Sequence, residues 1–159
     1  TLANSDTLHL TDNYFGTIPT DRLRVTPSAI LLKADGKYRS KIGLAAVSAL
    51  PIAGSYDAGK GILTIVQYDL DASQKYMKST WQLHDNPFDG DALNAYNDGP
   101  LEDGTQMGPF YELESSSPGM ALQTNESLKH THRTYHFEGS PAVLTKLSKQ
   151  LLGIALEDL

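Results

Sequence analysis

Two short runs of the chain carry ionisable side chains at alternate positions. Phe110-Tyr111-Glu112-Leu113-Glu114-Ser115 sets two carboxylates two residues apart, and Lys129-His130-Thr131-His132-Arg133-Thr134-Tyr135-His136-Phe137 sets three imidazoles at even positions. In an extended strand residues i and i+2 share a face. The spacing therefore predicts Glu112 and Glu114 on one face of a strand, and His130, His132 and His136 on one face of another. If the two strands pair, carboxyls and imidazoles form an acid/base surface near neutral pH. Glu114 or Glu112 would then be a general base, and His130 or His132 an acid or a hydrogen-bond donor. A plainer reading stands beside this one: solvated carboxylates on an open sheet face, and histidines held by structural hydrogen bonds. A zinc site on His130 and His132 would need a third ligand, for which Glu114 or His84 could serve.

Other polar residues offer recognition rather than proton transfer. Asn94, Tyr96, Asn97 and Asp98 could make paired hydrogen bonds to neighbouring sugar hydroxyls, although Asn97-Asp98-Gly99 also reads as a turn. Lys37, Arg39 and Lys41 form a basic stripe that suits an acidic ligand or, equally, a solvated strand face. Asp85-Asn86-Pro87-Phe88-Asp89-Gly90-Asp91 alternates oxygen ligands as a calcium loop does, yet it lacks the spacing and final glutamate of an EF-hand, and turn chemistry explains it without a metal. Beside that zinc reading, calcium is the one other cofactor the sequence raises. Trp81 shares its predicted face with Met77 and Leu83, which points to core packing. Tyr38, Tyr56 and Tyr96 are freer to stack on a ligand.

Composition narrows the class. The 159 residues include 40% hydrophobic and 20% charged side chains, enough for one globular domain with its own core. A formal net charge of −6 disfavours broad nucleic-acid binding. The absence of cysteine excludes disulfides and thiolate metal sites. No apolar run is long enough for a spanning helix. The chain starts at Thr1, which fits processing or excision from a longer precursor.

The elements that must position these residues are mostly strands. A short strand is expected near Leu8 to Leu10, another over Ala29 to Lys33, and a third from Tyr38 towards Leu50. Asp35-Gly36 signals a hairpin between the last two. Gly61 to Leu70 is the clearest apolar strand, and Tyr76 to His84 alternates again. Asp85 to Gly108 reads as a long loop rich in Asp, Asn, Gly and Pro. Gln123 to Glu126 turns between the two motif strands. Beyond Gly139 the period becomes helical: Ser140 is a candidate N-cap, Pro141 the first helical residue, Val143, Leu144, Leu147 and Leu151 one apolar face, and Gly153 the stop. Many short strands and one late helix predict a mainly β fold, an antiparallel β-sandwich with one short C-terminal α-helix.

Several motifs resemble an uncharacterised bacterial family close to the galactose mutarotase (aldose 1-epimerase) superfamily. They are Asp12-Asn13-Tyr14-Phe15-Gly16 with Asp21-Arg22-Leu23; Asp35-Gly36-Lys37-Tyr38-Arg39-Ser40-Lys41-Ile42-Gly43; Gly54-Ser55-Tyr56-Asp57; Asn94 with Tyr96-Asn97-Asp98-Gly99-Pro100; Gly108-Pro109-Phe110-Tyr111-Glu112-Leu113-Glu114; and His130-Thr131-His132-Arg133-Thr134. The link to mutarotases themselves rests on Leu113-Glu114, Pro118 and a following strand that ends at Phe137.

The resemblance implies a partial mutarotase-like supersandwich corresponding to the C-terminal half, with sugar bound on one sheet. It implies that Glu114 takes the proton of an anomeric hydroxyl while a histidine protonates the ring oxygen. The acid histidine of mutarotases comes from the upstream half and has no counterpart here. The alternative is a non-catalytic structural or sugar-binding half-domain, completed by another chain or a second copy. A sugar or glycan is the expected partner, with no nucleic acid and no membrane insertion. Association with a missing N-terminal half or with itself is expected, in a bacterial periplasm or at a cell surface.

Overall fold

A computed structural model describes residues 2–3, 7–80 and 83–159. Trp81 lies outside the described residues. Among the described residues nine strands precede one α-helix, which a short 3-10 turn at Leu156–Asp158 follows: β1 Leu10–Thr11, β2 Leu23–Val25, β3 Ile30–Leu32, β4 Ser40–Leu44, β5 Ile52–Asp57, β6 Ile62–Tyr68, β7 Leu93–Asn97, β8 Tyr111–Ser115, β9 His132–Glu138 and α1 Pro141–Leu152. Every pairing between these strands is antiparallel. The fold is mainly β with one short C-terminal helix, as expected.

Two sheets carry most of the structure. One has the order β1-β4-β7-β8, the other β5-β6-β9, and β2-β3 forms a separate ribbon. Apolar residues at alternate positions stack them. Leu44 and Leu93 from the first sheet pack with Ala53, Val66 and Tyr68 from the second. The odd positions of β6 face the other way, where Leu63 and Ile65 meet Leu144 and Leu156, with Leu147, Leu151 and Leu152 around them. The three-stranded sheet is thus covered by a sheet on one face and a helix on the other. This is why β6 reads as a nearly continuous apolar run rather than an alternating one. Each fully buried leucine or isoleucine in these layers contributes about 1.5–3 kcal/mol.

The helix follows its sequence signals. Pro141 opens it after an extended Ser140, and Gly153 ends it in the left-handed conformation (φ 71°). The Ser140 hydroxyl makes no capping bond. Val143 is exposed, and Leu152 completes the apolar face instead.

Four expectations are corrected. Asp35-Gly36 does turn the chain, with φ 67° at Gly36, but β3 pairs with β2 and β4 with β7, so no hairpin joins β3 to β4. A Cβ at Gly36 would lie 2.7 Å from the Pro109 backbone, so this glycine serves close packing as well as the turn. Tyr76 to His84 is no strand among its described residues; Tyr76 makes only isolated bridges, and Met77 and Leu83 are exposed. The expected loop from Asp85 contains β7, whose Leu93–Asn97 run is almost wholly buried between β4 and β8. Finally, the two motif strands do not pair: β8 lies at the edge of one sheet and β9 at the edge of the other.

Candidate functional site

Register decides which motif residues meet. In the four-stranded sheet Lys41 stands opposite Tyr96 and Tyr96 opposite Glu112, while Gly43 stands opposite Asn94 and Asn94 opposite Glu114. Leu44 and Leu93 face the second sheet, so Lys41, Asn94, Tyr96, Glu112 and Glu114 all belong to the opposite, outer face. Tyr111, Leu113 and Ser115 belong to the inner face, where the Tyr111 hydroxyl meets the Ser55 hydroxyl of β5 at 2.7 Å.

On the outer face Lys41 Nζ donates to Glu114 Oε2 at 2.9 Å. The lysine side chain is 12% exposed and the glutamate 35%, so the pair is partly shielded but reachable. The expected solvated basic stripe is thereby corrected at Lys41. Glu112 lies beside Glu114, and its pKa is raised above the ordinary glutamate range by a hydrogen bond with the Glu114 carboxyl, then by burial, then by the neighbouring charge. Two carboxyls this close share a proton more readily than they ionise together.

Tyr14 and Asp91 extend this face. Tyr14 Oη donates to Asp91 Oδ2 at 2.7 Å, and Asn94 Nδ2 approaches the same hydroxyl at 3.4 Å. Burial, followed by the Asp91 carboxylate, pushes the Tyr14 phenol up to about 12. Burial raises the pKa of Asp91, opposed by hydrogen bonds from Tyr14 and Thr11. Gly43 makes room for the cluster, since a Cβ there would stand 2.1 Å from Asp91 Oδ2. The Lys41 ammonium lies 5.7 Å from the centre of the Tyr14 ring and so joins the tyrosine to the carboxylate pair. Next to Tyr14 and Asp91 an open pocket of about 430 Å³ is lined also by His9, Lys78, Thr80 and His84. A larger groove of about 670 Å³ is walled by Met77, Phe88, Met120, Leu122 and Leu128 and is mainly apolar.

The remaining predicted contacts separate. Arg39 lies over the Phe15 ring at 4.1 Å. Asn97 is fully buried on the inner side, with Oδ1 accepting from the Gly36 N–H and Nδ2 donating to the Tyr38 carbonyl. Asp98 is also buried, accepting from the Tyr96 hydroxyl at 2.6 Å and from the Gly108 N–H. The Tyr96 hydroxyl, Asn97 and Asp98 are therefore spent on holding loops to the sheet and are corrected as sugar contacts. Asn94, 1% exposed, supports the site from beneath.

His130 and His132 do come together, but away from Glu114. His130 Nε2 and His132 Nδ1 each lie 2.8 Å from Ser115 Oγ. Ser115 follows Glu114 directly, so the imidazoles gather on the inner face while the carboxylates sit on the outer one. The expected Glu–His surface is corrected by this alternation. His84 bonds the Thr80 hydroxyl instead, and His136 the Thr64 hydroxyl at 2.9 Å. Among the described residues no group of three His, Cys, Asp or Glu side chains converges as metal ligands, and no helix is long and apolar enough to cross a membrane.

A family model, described as a family of unknown function (DUF6786), matches residues 2–159. The chain belongs to the DUF6786 family. Comparison with curated proteins and with solved structures gives no match. In this DUF6786 chain the residues that sequence reasoning did not join to Glu112 and Glu114 are Tyr14, Lys41 and Asp91. Tyr14 and Lys41 stood within the quoted motifs, but nothing in their spacing said that β1, β4 and β7 would lie side by side. Asp91 was hidden in a segment read as turn chemistry.

Proposed function

We propose that the outer face of the four-stranded sheet binds a carbohydrate and, in mutarotase-like fashion, opens and recloses an aldose ring at its anomeric carbon. The observation that carries the reading is the Glu112–Glu114 pair beside Lys41. The anomeric hydroxyl and the ring oxygen are bonded to one carbon, so an acid and a base that stand side by side can serve both. Adjacent same-face residues of a strand stand in that way. Glu114, ion-paired with Lys41, is the base that takes the hydroxyl proton. Glu112, whose proton affinity is raised, is the acid for the ring oxygen, the role first expected of a histidine.

As the hydroxyl loses its proton to Glu114, the C1–O5 bond breaks and O5 takes the proton of Glu112. C1 becomes the aldehyde carbon, rotation about C1–C2 turns its other face, and reclosure returns both protons. Arg39 and the Phe15 ring beneath it supply a polar and an apolar contact for the sugar.

Titration with galactose and with glucose, followed by amide and side-chain NMR shifts, tests where a sugar sits. Saturable shifts at Arg39, Lys41, Glu112 and Glu114 support the reading. Shifts confined to Ser115, His130 and His132, or none at high millimolar sugar, contradict it. Saturable binding on this face without turnover leaves the sugar-binding module and removes the epimerase.

A further inference from the structure

The inner-face cluster has a chemistry of its own, independent of the sugar reading. Ser115 Oγ is held by two imidazole nitrogens, His130 Nε2 and His132 Nδ1, each at 2.8 Å. The hydroxyl has one proton, so it can donate to at most one ring and must accept from the other. Burial decides the direction. His130 Nδ1 is buried without a hydrogen-bond partner. If Ser115 donated to His130 Nε2, the neutral ring would carry its proton on Nδ1, as an unpaired buried N–H. Such orphaned donors are rarer than unpaired acceptors. In the other direction His130 Nε2–H donates to Ser115 Oγ, its bare Nδ1 is left as an acceptor, and Ser115 donates to His132 Nδ1. His132 is exposed, so its Nε2–H meets water.

The result is a polarised line from His130 through Ser115 to His132 and solvent. We propose that Ser115 is a base-activated nucleophile that accepts acyl groups from carboxylic esters. His132 is its general base, and His130 donates a hydrogen bond that stabilises the charge developing on Oγ. In the step itself, Oγ attacks the ester carbonyl carbon and its proton passes to His132 Nδ1. The bond from the carbonyl carbon to the alcohol oxygen breaks, and the departing alkoxide takes the proton from His132. Water attacks the acyl-serine by the same route and releases the acid. The mainly apolar groove takes in Ser116 and Leu128, chain neighbours of Ser115 and His130, while none of the three cluster residues lines it.

The test is acetylation by p-nitrophenyl acetate, read as a burst of p-nitrophenol and as the acetylated peptide by mass spectrometry. The wild-type chain should acetylate at Ser115. His132→Ala, at an exposed position, should slow that acetylation about a hundredfold. His130→Ala should slow it about tenfold or more by removing the donor to Oγ. Acetyl groups found only on lysines, or a Ser115 acetylation rate unchanged in His132→Ala, would overturn the proposal. Mapping the wild-type adduct depends on no variant, so poor folding of either histidine variant would leave the test intact.

Discussion

Glu114 and Ser115 are consecutive on β8, yet their side chains serve opposite faces of one sheet. Glu114 pairs with Lys41 on the outer face, whereas Ser115 meets His130 and His132 between the sheets. One peptide bond thus divides the ionisable residues of the two motifs into separate sites. Each site makes its own demands on stability.

The outer site is held by a half-shielded ion pair. Lys41→Met should leave two neighbouring carboxyls without their cation and cost about 1 kcal/mol. Lys41→Met combined with Glu112→Gln should recover part of that loss, because the like-charge contact is gone. Urea denaturation of the two single variants and the double variant measures the coupling; strict additivity would mean that the three side chains do not act together.

Glu112 should leave a pH signature. Its folded pKa is raised, so the folded state binds the proton more tightly than the unfolded chain does. Its contribution is full below the ordinary glutamate range and is lost as pH rises through the folded value. In Glu112→Gln that decline should disappear: relative to wild type, the variant should gain in urea midpoint between acidic and neutral pH. A constant difference across that window would contradict a raised Glu112.

Tyr14→Phe removes the 2.7 Å hydrogen bond to Asp91 from a carboxyl that is 6% exposed. The expected cost is about 1–3 kcal/mol where the carboxylate is charged. The cost should shrink at low pH as Asp91 takes up a proton. An equal cost at both pH values would assign the loss to packing instead.

Gly43→Ala tests whether the cluster is as tight as its geometry says. The added methyl would stand 2.1 Å from Asp91 Oδ2 and 2.7 Å from Asn94 Nδ2. Overpacking of this kind costs about 1–3 kcal/mol, and it should disturb sugar contacts on the outer face. Leu144→Ala, fully buried on the face of α1 that packs on β6, should cost about 2–5 kcal/mol and leave those contacts alone. Equal effects of the two variants on ligand binding would show that the outer face responds to stability rather than to local shape.

Local pattern made some of this legible. The period-two runs put Glu112 with Glu114 and His130 with His132, and both pairs are found. The helix was readable from Pro141 and Gly153 because its start and stop chemistry is local. The partner strands were not readable. Nothing near Glu114 says that β8 lies against β7 rather than β9, since pairing is chosen by distant apolar residues such as Leu93 and Val66. β7 itself was hidden because Asn94, Asn97 and Asp98 resemble turn formers. They are buried polar residues whose partners, Ile42, Tyr38 and Gly108, come from other parts of the chain.

Anomer interconversion of galactose, followed by polarimetry or by NMR exchange between the α and β signals, tests the outer-face site most directly. The wild-type chain should accelerate it. Glu114→Gln and Glu112→Gln should each lose at least tenfold of that acceleration, and His130→Ala and His132→Ala should keep it. A wild-type rate equal to that of buffer, or a Glu114→Gln variant as fast as wild type, would contradict the account.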